Sequence, residues 1–171
     1  MNVNEAQIQL GLWHWLYNRG QRWACPNACK VFDTGECDLL TVMRSGLACE
    51  YEIKISRKDF RQDRRKPKFE LFERRLAGHT TREPLRSGWK ARTLTVPNFF
   101  FYVVPNKLVS VDEVPGFAGL IYVHDEERQR FTVAKKAARI HRDIIPDLKL
   151  QMGQKLMFRF WDQQRRVLAA A

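Results

Sequence analysis

The sequence predicts an α/β fold in which a mixed central β-sheet is flanked by helices. Residues 36–55 carry a period-2 hairpin pattern, residues 98–105 and 119–123 are continuous apolar runs bounded by proline and glycine, and segments of helical spacing stand before and after them. A hairpin is antiparallel, whereas apolar runs of that kind suit central strands covered on both faces, so the sheet is expected to be mixed. With 171 residues and 44% hydrophobic content, the chain suits one domain over 1–171, its core at about 4–145 and a last helix at about 147–166.

Residues 4–18 read as a helix: Asn4 can cap it, Ile8, Leu12, Trp15 and Leu16 recur on one side, and Asn18, Arg19 and Gly20 end it. Pro26 and Asn27 break the next stretch into two short strand pieces around a turn or bulge. The hairpin follows. A loop of Arg44, Ser45 and Gly46, with Gly46 left-handed, sets Met43 opposite Leu47 and Asp38 opposite Glu52. Cys37, Leu39, Thr41, Met43, Leu47, Cys49, Tyr51, Ile53 and Ile55 then share one largely apolar face, and Glu36, Asp38, Glu50, Glu52 and Lys54 the other. Ser56 caps a basic segment carrying Arg57, Lys58, Arg61, Arg64, Arg65, Lys66 and Lys68. Residues 77–93, polar and rich in breakers, read as a mobile loop near the substrate, with Lys90 among its bases. After the apolar strands, "VAKKAARIHRDI" reads as a helix with Lys135 and Lys136 toward solvent, and His141 as a surface or cap residue. The last helix presents Leu148, Met152, Leu156 and Phe160 as its packing face.

Lys and Arg number 30 against 19 acids, a formal net charge of +11, which points to a polyanionic partner with nucleic acid ahead of a membrane surface. The N-terminal stretch lacks a charged n-region followed by an apolar core, and no run is long enough to cross a bilayer, so a cytoplasmic protein without membrane contact is expected. Cys25, Cys29, Cys37 and Cys49 match neither paired CxxC zinc spacing nor a disulfide framework, and read as buried, reduced thiols ahead of an iron–sulfur or zinc site built from all four. The absence of a Gly-rich phosphate loop, a Ser–His–Asp set and HExxH removes P-loop hydrolysis and zincin-type proteolysis.

The chemistry is concentrated at one end of the hairpin. Opposed residues have Cβ atoms about 4.5–5.5 Å apart, so Asp38 facing Glu52 is a like-charge liability that a bound cation would remove. Magnesium prefers one or two carboxylates completed by water and phosphate oxygens. Lys54, roughly 6.6 Å along the strand from Glu52, is placed to hold a water or phosphate oxygen beside such an ion. The same pattern is what a solvated hairpin face shows, with Lys54 neutralising Glu36 or Glu52.

The order "GECDLL", hairpin, "YEIKIS", with a helix before and a basic helix after, resembles the PD-(D/E)XK nuclease superfamily. The segments "EYEIKISRKDF", "FFFYVVPNKLV" and "VPGFAGLIYV" are similar to those of small phage and bacterial members, some grouped with MmcB-like DNA repair proteins. That resemblance implies a restriction-endonuclease-like core and a Mg2+-dependent nuclease, with Mn2+ as a substitute. It implies metal ligation by Asp38 and Glu52, with the carbonyl of Ile53 and the helix acid Glu5 as further ligands, and a water-orienting role for Lys54. Cys37 stands where the motif's name places proline. The basic segment and Lys135 or Lys136 would bind phosphates, in DNA before RNA. A homodimer would suit double-strand cutting. The rival expectation is an inactive nuclease-fold protein that binds nucleic acid or a protein partner, in phage counter-defence or as a repair accessory.

Overall fold

The computed structural model describes residues 4–80, 94–125, 128 and 130–169. A six-stranded mixed sheet, ordered β1 to β6 as in the chain, is flanked by helices. The elements are α1 (Glu5–Tyr17), β1 (Trp23–Phe32), β2 (Gly35–Val42), β3 (Ala48–Ile53), α2 (Arg57–Asp63), α3 (Lys68–Leu76), β4 (Phe99–Pro105), β5 (Gly119–Asp125), β6 (Arg130–Lys135) and α4 (Leu148–Ala169). The first three strands form an antiparallel meander, β3, β4 and β5 run parallel, and β6 returns antiparallel.

Local chemistry accounts for most boundaries. The Asn4 side chain accepts the Ala6 amide at the start of α1, and the Ser56 hydroxyl accepts the Asp59 amide at the start of α2. Gly46 is left-handed at φ 85°, and the hairpin register runs from Leu39–Tyr51 to Val42–Ala48 as the loop predicts. The segment expected as two strand pieces is one strand, β1, with positive φ at Asn27 and Lys30 and a register irregularity between Ala28 and Phe32. Cys37 is off its expected face, because β2 changes face between Cys37 and Leu39: Cys37 packs with Cys25, Leu40 and Val42 under α4, whereas Leu39, Cys49, Tyr51 and Ile53 pack under α1.

Two covered faces hold the core. One is Ile8, Leu12 and Leu16 of α1 against Tyr51, Ile53, Val103 and Ile121. The other is Phe60, Phe69 and Phe72 of α2 and α3 against Phe100, Tyr102 and Val104. Gly119 is needed where β5 passes β4, because a Cβ there would strike the Phe101 ring and the Ala137 amide. All four cysteines are free thiols; Cys25, Cys37 and Cys49 are buried, and burial pushes Cys49 up to about 12. Among the described residues, no helix is long and apolar enough to cross a membrane.

The expected helix at 133–144 is instead the end of β6 followed by an extended strap. Ladder bonds to β5 outweigh the helical preference of its alanines and lysines, because tertiary pairing overrides propensity. The strap is tied down by the Ala138 amide donating to the Phe117 carbonyl and the Ile140 amide donating to the Asn98 carbonyl. His141, expected on a helix surface, is inside this strap: its Nε2 lies 2.9 Å from the Val96 carbonyl and its Nδ1 3.3 Å from the Asn98 amide nitrogen. The neutral ring satisfies both neighbours, with Nε2 donating and Nδ1 accepting. Burial holds His141 below its ordinary value; the Val96 carbonyl and the Asp143 carboxylate oppose this, and the Arg75 guanidinium adds to it. The unfolded chain therefore takes up a proton near pH 6.5 that the folded chain refuses, so stability is full above that pH and falls below it. Burial raises the Asp38 and Glu50 carboxyls to about 7, which favours the fold on acidification, so His141 is read as a difference: between about pH 7.5 and 5.5 the change in Tm should be less favourable in wild type than in His141→Gln, whose amide can replace both hydrogen bonds. An equal change in the variant would remove His141 as a contributor.

Candidate active site

β3 is the central strand of the site, paired antiparallel to β2 and parallel to β4, and every residue of it is buried. Its charged residues lie on the face covered by α2 and α3, with Glu50 beside Phe100 and Glu52 beside Tyr102. Glu50, Glu52 and Lys54 are 0%, 2% and 6% exposed, so this is an interior face and the solvated-hairpin reading does not hold. Charges taken out of water must be paired and hydrogen-bonded, and here they are. Thr34 donates its hydroxyl to Glu50 at 3.0 Å, and Lys68 reaches Glu50 at 3.3 Å and also Glu52. Lys54 Nζ donates to Glu52 Oε2 at 2.9 Å and stands 3.6 Å from Asp63. Tyr102 donates its hydroxyl to Asp63 at 3.0 Å, and Lys66 pairs with the same carboxylate.

Asp38 completes the corner from β2. The ladder stops at Leu39–Tyr51, so Asp38 and Glu52 are not the ladder pair that the register suggests. Asp38 turns instead to accept the Ile53 amide at 2.6 Å, while Gln9 of α1 donates to the Asp38 carbonyl and, at 2.8 Å, to Asn27. Burial first, then the Glu52 charge, pushes the Asp38 carboxyl up to about 7 against the pull of the Ile53 amide and Lys54. Burial likewise pushes Glu50 up to about 7, partly offset by Lys68. Burial works against the Lys54 ammonium, yet Glu52 and Asp63 outweigh it and hold Lys54 above its ordinary value. Lys54 therefore stays protonated.

This donor set fits a hard divalent cation. Two acids meet at the end of β3, and the Asp38 carboxylate sits where a neighbouring negative charge opposes its ionisation, a cost that a cation would relieve. Glu5, in the exposed first turn of α1, adds its charge to Asp38 without joining a cluster: among the described residues no three or more His, Cys, Asp or Glu side chains converge for a metal. A cation would thus use two carboxylates and complete its shell with water and phosphate oxygens, as magnesium does. Ile53 gives its amide, rather than its carbonyl, to Asp38.

The bases divide into two groups. Lys58, Arg61, Arg64 and Arg65 are exposed on and just beyond α2, which starts three residues after Lys54. Lys66, also exposed, is drawn to Asp63. Arg57 is held by the Leu108 carbonyl at 2.8 Å and by Glu113. Lys68, read from sequence as part of the clamp, is 4% exposed and belongs to the interior cluster. Lys135 donates to the carbonyls of Val114 and Pro115, which commits it to the β5 approach rather than to a phosphate; Lys136 is exposed. Lys90, with most of the expected 77–93 loop, lies outside the described residues.

Sequence reasoning set Glu50 on the charged face as a competitor for Glu52 but gave it no role, passed over Asp63, Tyr102 and Gln9, and misread Lys68. A signal for Lys68 exists: Lys68, Phe72 and Arg75 recur at helical spacing on one side of α3, so a buried phenylalanine marks the lysine's face as interior.

No protein-family model and no curated protein matches the sequence. Among solved structures, the chain is similar in fold to the SPO1766 protein of unknown function from Silicibacter pomeroyi, at a TM-score of 0.61 and 14% identity, over 98% of this chain and 93% of that one.

Proposed function

We propose that the chain is a Mg2+-dependent nuclease with a restriction-endonuclease-like core of the PD-(D/E)XK type, acting on DNA. The observation that carries this reading is the convergence of Asp38, Glu52 and Lys54 at the carboxyl end of β3, beside a parallel neighbour and just ahead of an exposed basic helix. Open α/β sheets bind ligands at the carboxyl ends of their strands.

Asp38 and Glu52 would hold the ion, with the Ile53 carbonyl and Glu5 as further candidates and Mn2+ as a substitute. A bound magnesium supplies Lewis-acid polarisation of the scissile phosphate and lowers the pKa of a bound water. Lys54, fixed by Glu52 and Asp63, orients the attacking water and offsets charge developing on the phosphate oxygens. Its protonated state makes it an electrostatic group rather than a base. Lys68, shared with Glu50, holds Glu52 in place. Lys58, Arg61, Arg64 and Arg65 draw in the backbone. Neutralising Arg61 or Arg64 should weaken binding evenly across duplex sequences and lower the salt slope by about 0.9 per lost phosphate contact. Sequence-selective loss in a filter-binding series would assign them another role.

One observation favours a second reading. Glu52 already accepts two lysines, Lys54 and Lys68, and such a self-neutralised cluster also suits an inactive nuclease scaffold that works by binding nucleic acid or a protein. Supercoiled plasmid, linear duplex, single-stranded DNA and RNA, each incubated with the protein in Mg2+, Mn2+ or EDTA, separate the two. Cleavage that EDTA abolishes supports the nuclease and identifies its substrate; binding without cleavage of any of the four supports the scaffold.

A further inference from the structure

Helix α4 carries an apolar stripe, bordered by Gln154, Gln164 and Arg165, on the side turned away from its own domain. Leu148 and Met152 are buried against β1, and the Arg159 guanidinium donates to the Pro26 and Asn27 carbonyls at the β1 irregularity. At about 100° per residue, Leu150 lies roughly 160° around the helix from Leu148 and Met152, and Met157, Trp161 and Leu168 fall within about 20° of Leu150. Phe160 and Val167 widen that stripe on one side, and all six side chains are more than half exposed. The expected packing role of Phe160 in this chain's own core is therefore not realised: it is 53% exposed and sits edge-on to Trp161, ring centroids 5.3 Å apart.

We propose that this face of α4 pairs with the same face of a second copy of the chain, antiparallel, about a two-fold axis level with Arg159. The spacing of the stripe is the reason. Leu150, Met157, Trp161 and Leu168 are separated by seven, four and seven residues, a heptad seam that reads the same in both directions. An isologous contact requires such self-complementarity. Antiparallel pairing sets Leu150 against Leu168 and Met157 against Trp161 of the second copy, and brings the two Phe160 rings together near the axis. Six side chains exposing roughly 100 Å² each give an apolar area on the order of 600–700 Å² per copy, approaching the ~800 Å² per partner of a standard interface and above what a monomer ordinarily leaves open. A bilayer surface is the poorer occupant. Interfacial helices set their bases on both margins of the apolar face, whereas Arg165, which borders it about 60° from Leu150, pairs with Asp162, and Lys155, Arg159 and Arg166 lie on the side of α4 turned toward the domain. The pairing does not depend on the chemistry at Glu52.

Sedimentation velocity on the full chain over a concentration series tests it. The wild type is expected to be dimeric, and Met157→Glu with Trp161→Glu, which places carboxylates at the seam, should raise the dissociation constant at least about 100-fold. An unchanged far-UV circular dichroism spectrum and a cooperative melt confirm that the variant still folds. The register is read separately in a Cys29→Ser background. Mixed under oxidant, Leu150→Cys and Leu168→Cys chains should cross-link to each other, while neither cross-links to itself, since a disulfide needs Cα atoms within about 7 Å. A wild type that stays monomeric at its highest soluble concentration, or self-cross-linking of Leu150→Cys alone, overturns the proposal. So does a monomer that phosphatidylserine vesicles recruit through Met157 and Trp161.

Discussion

Replacing Lys68 with methionine is expected to destabilise the fold by about 3–5 kcal/mol, the cost of leaving buried charge without its partner. The side chain is as long as the lysine stem and apolar, so its place between α3 and the sheet stays filled and the loss reports charge. Lys68 is 4% exposed and is the cation shared by Glu50 and Glu52, both more deeply buried still. Adding Glu50→Gln should recover part of the loss, because Glu50 loses its cation while Glu52 keeps Lys54, and the amide is neutral and still offers Thr34 an acceptor. Urea unfolding of the two variants beside wild type measures both numbers. A cost below about 1 kcal/mol, the size of a surface pair, would show that the cluster is wet and Lys68 is no anchor.

Removing Lys54 or Asp38 should reduce cleavage by at least about 100–1,000-fold while leaving affinity for DNA within a few-fold, since neither belongs to the exposed bases of α2. Lys54→Met is the cleaner change, because it keeps the stem packed beside Glu52 and Asp63; Asp38→Asn can keep an oxygen for the Ile53 amide while losing its charge. Single-turnover rates at saturating protein separate this from a binding defect. If both variants cut at the wild-type rate, the metal-dependent step is elsewhere. If both lose DNA binding as steeply as rate, the corner holds the backbone rather than the reacting atoms.

Much of the frame was legible because its signals are local. The Arg44–Ser45–Gly46 loop set the hairpin register, Asn4 and Ser56 marked helix starts by their own side chains, and the apolar runs of β4 and β5 announced strands covered twice. That register is what brought Asp38, Glu52 and Lys54 together on paper. What failed depends on contacts distant in the chain. Lys68 stands among exposed bases, and only the fold of α3 over β3 turns it inward to Glu50 and Glu52. Residues 133–144 read as a helix from their alanines and lysines, yet 133–135 finish a strand because pairing with β5 outweighs that preference. On α4 the period was right and the extent of the buried face was not: Leu148 and Met152 pack, while Leu156 and Phe160, further along the helix, are exposed, because β1 reaches only the first turns and the Arg159 level.

The metal corner is tested most directly by titrating Mn2+ into the protein and following it by electron paramagnetic resonance, with Mg2+ as competitor. The wild type should bind Mn2+ at a site that Mg2+ displaces, and Asp38→Asn should weaken that site at least about tenfold, as loss of a carboxylate ligand to a hard cation does. Wild type that binds no Mn2+, or binds it equally after Asp38→Asn, would contradict a catalytic metal held by Asp38 and Glu52.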